Sequence, residues 1–263
     1  RFKCRKTNER SSVNWLFFAL AGSIAQLIDG ALGMGFGLTS STLLLTLGTS
    51  AAVASAAVHF AEIGTTLASG VSHWHRENVD FEILKRLAVP GGIGAFAGAT
   101  FLSSIDLSGG TIFISTILLL LGFVLLYRNV FQTNIKPNMA EVNNPKYLIF
   151  LGATGGFIDA SGGGGWGPIV TPTLLATTEH EPRKIIGTVS AAEFIVAVCA
   201  SIGFLANISR IDIDWSAVGG LALGGVLMAP VAAKLVSVVP RRPLGIAVAT
   251  AIIVINAVRL VTT

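Results

Sequence analysis

A glycine-broken apolar stretch occurs twice in this chain, and the repetition restricts the fold more than any other feature. Residues 157–173 read F-I-D-A-S-G-G-G-G-W-G-P-I-V-T-P-T, and residues 27–43 read L-I-D-G-A-L-G-M-G-F-G-L-T-S-S-T-L. At a shift of 130 positions Gly22, Asp29, Gly33, Gly35, Phe36 and Gly37 fall on Gly152, Asp159, Gly163, Gly165, Trp166 and Gly167. At a shift of 131 Glu62 falls on Glu193, and at 134 Val79-Asp80-Phe81 falls on Ile213-Asp214-Trp215. Self-similarity at fixed spacing marks a duplicated structural unit.

The setting of both copies is a bilayer. Only 12% of the residues are charged, roughly half the share in an average soluble domain, and the mean hydropathy is +0.73. Thr111 to Tyr127 carries no charge, and Ile83 to Ile105 carries only Lys85 and Arg86 near its start. A hydrocarbon core of about 30 Å takes roughly 20 helical residues, so such runs are spans. The formal charge of +4 then points to membrane-flanking basic residues, and without basic-aromatic interleaving no nucleic-acid partner is expected. Cys4 and Cys199 make neither a disulfide framework nor a metal cluster.

A polar stretch rich in Asn and Pro divides the copies. The resulting organisation is a basic N-terminal segment at 1–12, a first transmembrane repeat at 13–128, a polar linker at 129–145 and a second repeat at 146–263. In the first repeat we expect a broken segment at about 13–48, then helices at about 50–71, 83–105 and 110–128. In the second the counterparts are 146–178, 183–206, 214–237 and 241–261. The arms of the first broken segment, 13–29 and 36–47, measure about 25 and 18 Å at 1.5 Å per residue. The second arm is too short to span, so a re-entrant hairpin is the economical reading. Each repeat then crosses the membrane three times net, which inverts the second relative to the first. The expected fold is an all-α polytopic membrane protein of two inverted repeats, each a Gly-broken hairpin plus three transmembrane helices.

Basic residues test that topology. With the linker cytoplasmic, Arg76, Lys85, Arg86, Arg128 and the pairs Arg183-Lys184 and Arg241-Arg242 lie inside, as the positive-inside rule asks. The N-terminal Arg1, Lys3, Arg5, Lys6 and Arg10 lie outside, which an eight-span parallel arrangement would avoid.

Irregular backbone at membrane depth survives only where it is buried in protein or lines a wet cavity. Glycines let backbone amides approach a ligand closely, and Pro168 suits the first turn of the helix that follows. Each tip should therefore present a helix N-terminus, with about half a positive charge, towards the midplane. Two such ends favour an anion. The expected substrate-binding residues are Gly33, Gly35, Phe36 and Gly37 in the first tip and Gly163, Gly164, Gly165, Trp166 and Gly167 in the second.

These blocks are also familiar. G-G-F-I-D-A-S-G-G-G-G-W-G-P-I-V-T-P-T-L-L, followed by E-P-R-K-I-I-G-T-V-S-A-A-E-F, resembles the second-repeat signature of the TauE/SafE family of sulfite exporters, and A-Q-L-I-D-G-A-L-G-M-G-F-G resembles its first-repeat counterpart. The resemblance spans essentially residues 15–262. It implies a multi-pass cell-membrane transporter, not an enzyme, that exports sulfite or a related organosulfur anion in a step coupled to an ion gradient. Met34 and Phe36 stand where the second repeat has Gly164 and Trp166, an asymmetry that bears on which anion is carried.

Glu62 and Glu193 occupy matched places near the middle of a span, where a charge costs on the order of 2.5–3.5 kcal/mol. His59, three residues before Glu62, lies on the same helical face, so the pair can hold a proton. Two roles stay open for the glutamates: proton coupling, or bonding the loose amides of the hairpins. Asp29 and Asp159 sit where a carboxylate bonds Gly-loop amides. His73 and His75 read as a solvated turn, and Gly162-x-Gly164-x-x-Gly167 lacks the preceding strand that a dinucleotide site needs. No cofactor or metal is expected, and a homo-oligomer is compatible with the sequence. The function classes in play are an alternating-access anion transporter, a passive anion or solute channel of the same half-helix design, and a membrane scaffold or enzyme without transport; paired buried carboxylates favour the first over the second.

Overall fold

A computed structural model describes residues 2–32, 34–131, 145–177, 181–235 and 241–262. The described residues form ten helices in chain order and contain no strand. The first half supplies α1 (Phe2–Leu32), α2 (Phe36–Thr46), α3 (Ala51–His75), α4 (Phe81–Ser104) and α5 (Leu107–Phe131). The second supplies α6 (Pro145–Gly162), α7 (Trp166–Thr177), α8 (Pro182–Ala206), α9 (Trp215–Leu235) and α10 (Arg241–Thr262). α3, α4, α5, α8 and α10 are long and apolar enough to cross a membrane, while Trp15–Asp29, Phe36–Thr46 and Trp215–Ala229 form shorter apolar stretches.

Apolar side chains point outward along these spans, as lipid contact requires. Ile93 on α4, Phe150 on α6 and Leu120 on α5 are well exposed, whereas His59, Ser40 and Ser41 are fully buried. That arrangement would be costly in water and is natural in hydrocarbon.

Helix starts repeat between the halves. Asp80 accepts hydrogen bonds from the backbone amides of Glu82 at 2.9 Å and Ile83 at 3.1 Å, capping α4. Asp214 does the same at α9 for Ser216 at 2.9 Å and Ala217 at 3.2 Å. Two boundaries differ from expectation. α1 reaches back to Phe2 through the basic segment, and α3 continues to His75 where a polar turn was expected.

Glycine faces join one half to the other. A Cβ on Gly94 would stand 2.1 Å from the Ala153 carbonyl oxygen, and one on Gly98 2.5 Å from that of Phe157. From the other side, a Cβ on Gly152 would meet the Leu87 carbonyl at 2.4 Å and one on Gly156 the Gly91 carbonyl at 2.0 Å. The pairings climb together in residue number, so α4 and α6 run in the same direction at backbone contact. α1 and α9 do likewise: Gly220 lies on Trp15 and Phe18, and Gly224 on Ala19 and Ser23. Gly92 against Cys199 and Gly203 against Phe96 and Ala99 align α8 with α4 in the same sense. α5 and α10 run oppositely, with Gly122 on Ile252 and Ile253 and Gly245 on Asn129.

Candidate functional site

The two hairpin tips meet inside the protein. In the second, the chain leaves α6 at Gly162 and turns through Gly163 at φ 74° and Gly164 at φ 133°, conformations that side chains disfavour. The Gly164 amide donates to the Asp159 carbonyl at 3.0 Å. The Asp159 carboxylate then accepts through Oδ1 from the amides of Gly165 at 2.7 Å and Trp166 at 2.9 Å. Those amides open α7 and have no partner within their own helix, so the carboxylate satisfies them and meets the positive helix end. In the first tip Gly35 takes φ 127°, and the Phe36 amide donates to Asp29 Oδ1 at 3.2 Å. Gly33 falls outside the described residues.

Glycine is required where the tips touch. A Cβ on Gly37 would lie 2.5 Å from Gly164 Cα, and one on Gly164 only 2.3 Å from the Gly37 carbonyl carbon. The reciprocal contact places Gly167 on Met34, at 3.1 Å from its Cβ. Ser41 donates its hydroxyl to the Gly163 carbonyl. Gly163, Gly164, Gly165 and Trp166 are buried, and the Trp166 indole N–H donates to the Val189 carbonyl at 3.1 Å. The amides expected to await an anion at the second tip are thus bonded to an aspartate of the same hairpin. Among the described residues, Gly167 is the expected glycine that lines the larger cavity described below.

Behind the second tip lies a buried polar cluster. His59 Nε2 is 3.1 Å from Asp159 Oδ2, joining α3 to the second hairpin. The other ring nitrogen, Nδ1, is 2.7 Å from the Ser55 carbonyl, which can only accept, so Nδ1 carries a hydrogen. Ser55 in turn donates to the Ala160 carbonyl at 2.6 Å. Glu62 completes the group: one donor atom each from His59, Glu62 and Asp159 lie within 4.8 Å of one another. Glu62 is 3% exposed, and its Oε2 has no hydrogen-bond partner. The sequence placed His59 beside Glu62, whereas its direct bond is to Asp159, a hundred residues away.

Two cavities approach the tips. A larger one of about 530 Å³ is lined by Gln26, Asp29, Ser69, Arg76, Ser190 and Glu193 among others. A smaller one of about 80 Å³ shares Gln26, Asp29, Ser69, Ser190 and Glu193 and adds Phe36 and Glu62. Ser190 donates to Ser69 at 2.7 Å across the junction of α3 and α8. Sequence reasoning missed Gln26, Ser69 and Arg76. A signal was present: Glu62, Thr65, Ser69, Ser72 and Arg76 recur every three or four residues, a polar stripe on an otherwise apolar helix.

The sequence profile described as Sulfite exporter TauE/SafE matches residues 18–259. The chain belongs to the TauE/SafE family. One relative, a protein of Bacillus subtilis (strain 168) described as "Probable membrane transporter protein YtnM", is 47% identical over 245 residues, covering 92% of this chain and 81% of that one. No solved structure matches the chain. Membership makes this TauE/SafE protein a multi-pass membrane transporter rather than an enzyme, and its helices fit that class.

Proposed function

We propose that this TauE/SafE protein is a secondary transporter that exports sulfite or a related organosulfur anion by alternating access, with proton coupling through Glu193. The single observation that carries the reading is the cavity of about 530 Å³ that brings Arg76 and polar groups to Asp29 and Glu193 beside the hairpin tips. Arg76 is the only Lys or Arg among its described lining residues and supplies the positive charge an anion seeks. Ionised Asp29 and Glu193 repel that anion, and protonation relieves the repulsion, so anion and proton binding reinforce one another. A doubly charged sulfite moving with one proton still carries a negative charge outward. An interior-negative membrane favours that step by roughly 2.3 kcal/mol per 100 mV. The family description supports sulfite and the outward direction.

The helix directions support an inverted-repeat reading. α3 runs against α8, with Asn78 on Gly187 and Gly70 on Ala191, and along α9, with Phe60 on Trp215 and Thr65 on Gly225, so α8 and α9 run oppositely; α4 and α6 share the direction of α8, and α1 that of α9. The first hairpin arms, α1 and α6, are then opposed. Backbone contact between Gly37 and Gly164 leaves no room for a solute between the two tips at that point, which supports alternating access over an open channel.

Proteoliposomes loaded with radiolabelled sulfite, with membrane potential and pH gradient set independently, test this. Parent flux should saturate and follow both gradients. Arg76→Gln should cut it at least tenfold. Glu193→Gln should retain anion exchange and lose the response to pH gradient. Flux equal to that of empty liposomes overturns the substrate, and unsaturable flux indifferent to both gradients points to the channel instead.

A further inference from the structure

We infer that His59, Glu62 and Asp159 form a binding site for one divalent transition-metal ion such as Zn²⁺, held between α3 and the tip of the second hairpin. The inference concerns ion binding and stands independently of what the protein transports. Its donor atoms already converge within 4.8 Å, with His59 Nε2 and Asp159 Oδ2 at 3.1 Å. Tetrahedral ligands at about 2.0–2.2 Å from zinc stand roughly 3.3–3.6 Å apart, so a modest inward rotation of Glu62 completes three ligands.

Each donor is oriented by what its other polar atom does. The Nδ1–H of His59 donates to the Ser55 carbonyl, so once the proton shared by Nε2 and Asp159 Oδ2 is released, the neutral ring offers its Nε2 lone pair to an ion. The Ser55 carbonyl is the second partner a metal-bound histidine needs to fix its tautomer. Asp159 Oδ1 is held by the Gly165 and Trp166 amides, so Oδ2, bonded to His59 Nε2, is the oxygen that an ion entering between the two would take. Glu62 provides the independent sign of a missing partner: Oε2 is buried and unbonded, a condition that costs a charged oxygen several kcal/mol unless something neutralises it. Two carboxylates carry two negative charges, and a divalent ion balances both where one proton balances one.

The donor set also selects the ion. Imidazole suits zinc, cobalt, nickel and copper, whereas calcium and magnesium demand more oxygens than this cluster offers. Glu62 alone of the three lines the smaller cavity, which gives the ion an entry path. Gly37 keeps that side clear, since a Cβ there would stand 3.1 Å from Glu62 Oε1.

The test uses untagged, detergent-purified full chain carrying His73→Ala, His75→Ala and His180→Ala, so that His59 is the only histidine left. Co²⁺ is titrated by its visible ligand-field absorption and Zn²⁺ by equilibrium dialysis. One ion per chain is expected, with a raised thermal midpoint and no competition from Ca²⁺. His59→Gln and Glu62→Gln should each weaken binding at least tenfold. Glu62→Gln, which keeps shape while removing charge, serves if the histidine variant does not fold. Absence of stoichiometric binding, or equal affinity in the folded Glu62→Gln protein, overturns the site and leaves protons as the balancing charge. Sulfite flux plays no part in this readout, so failure of the transport reading and failure of the metal site are told apart.

Discussion

The two hairpin tips descend from one sequence motif and have diverged in how completely they are closed. At the second, Asp159 accepts two amide bonds and a contact from His59, and Trp166 is fully buried. At the first, Asp29 accepts a single longer bond from Phe36 and lines both cavities. The divergence follows from single residues. Met34 stands where Gly164 stands in the second copy, and the His59 position is matched by Ser190, which bonds Ser69 instead of an aspartate. One copy has become a fixed abutment, and the other keeps its carboxylate within reach of solute. Duplication thus supplies two helix ends, and a few substitutions leave one carboxylate bonded to amides and the other lining the cavities.

The sharpest way to break this contrast is a methyl group at one positive-φ glycine of each tip. Gly164→Ala forces a side chain into a φ of 133° and within 2.3 Å of the Gly37 backbone, so a loss of about 4 kcal/mol or more is expected. Gly35→Ala meets a similar backbone strain but finds no atom nearer than Ile28 Cγ2 at 3.9 Å, and should cost about 1–3 kcal/mol. Thermal unfolding followed by size-exclusion chromatography should show a collapsed peak for the first and a folded, weaker protein for the second. Equal damage would mean that the tips are packed alike.

A smaller effect should separate the two aspartates. Asp159→Ala removes two amide bonds and strands His59, at about 3–5 kcal/mol, whereas Asp29→Ala removes one long bond, at about 1 kcal/mol. The unfolding midpoint of the Asp159 variant should therefore fall further, and the reverse order would undo the assignment of the fixed and the open tip. The smallest change is Trp166→Phe, which deletes the indole N–H bonded to Val189 at a cost of about 1 kcal/mol. A midpoint drop as large as that of Asp159→Ala would shift the role of this residue from a bond to its bulk.

Much of this was legible in the sequence because local rules set it. The break between α1 and α2, the start of α2 at Phe36 and the paired caps Asp80 and Asp214 all follow from glycine, arm length and capping chemistry. α3 was read as ending early because His73 and His75 look like a turn. The helix continues to His75, where the Trp74 ring packs against His75 and against Phe81 at the start of α4. The bond from His59 to Asp159 was invisible, since periodicity describes one helix and this pair joins two that lie a hundred residues apart. The Gly165 and Trp166 amides, expected to face an anion, are bonded by Asp159, the role the sequence also assigned to that carboxylate.

The glycine contacts between α1 and α9 set a timetable for biogenesis. Gly22 meets Leu221 at backbone distance, so α1 has no native neighbour on that face until α9 is made. At about 5–20 residues per second, the intervening stretch of roughly 200 residues takes about 10–40 s to synthesise. α4 likewise waits for α6. Throughout that interval the small-residue faces of the first half are covered by lipid or by the insertion machinery, and the native bundle closes only once the second half arrives.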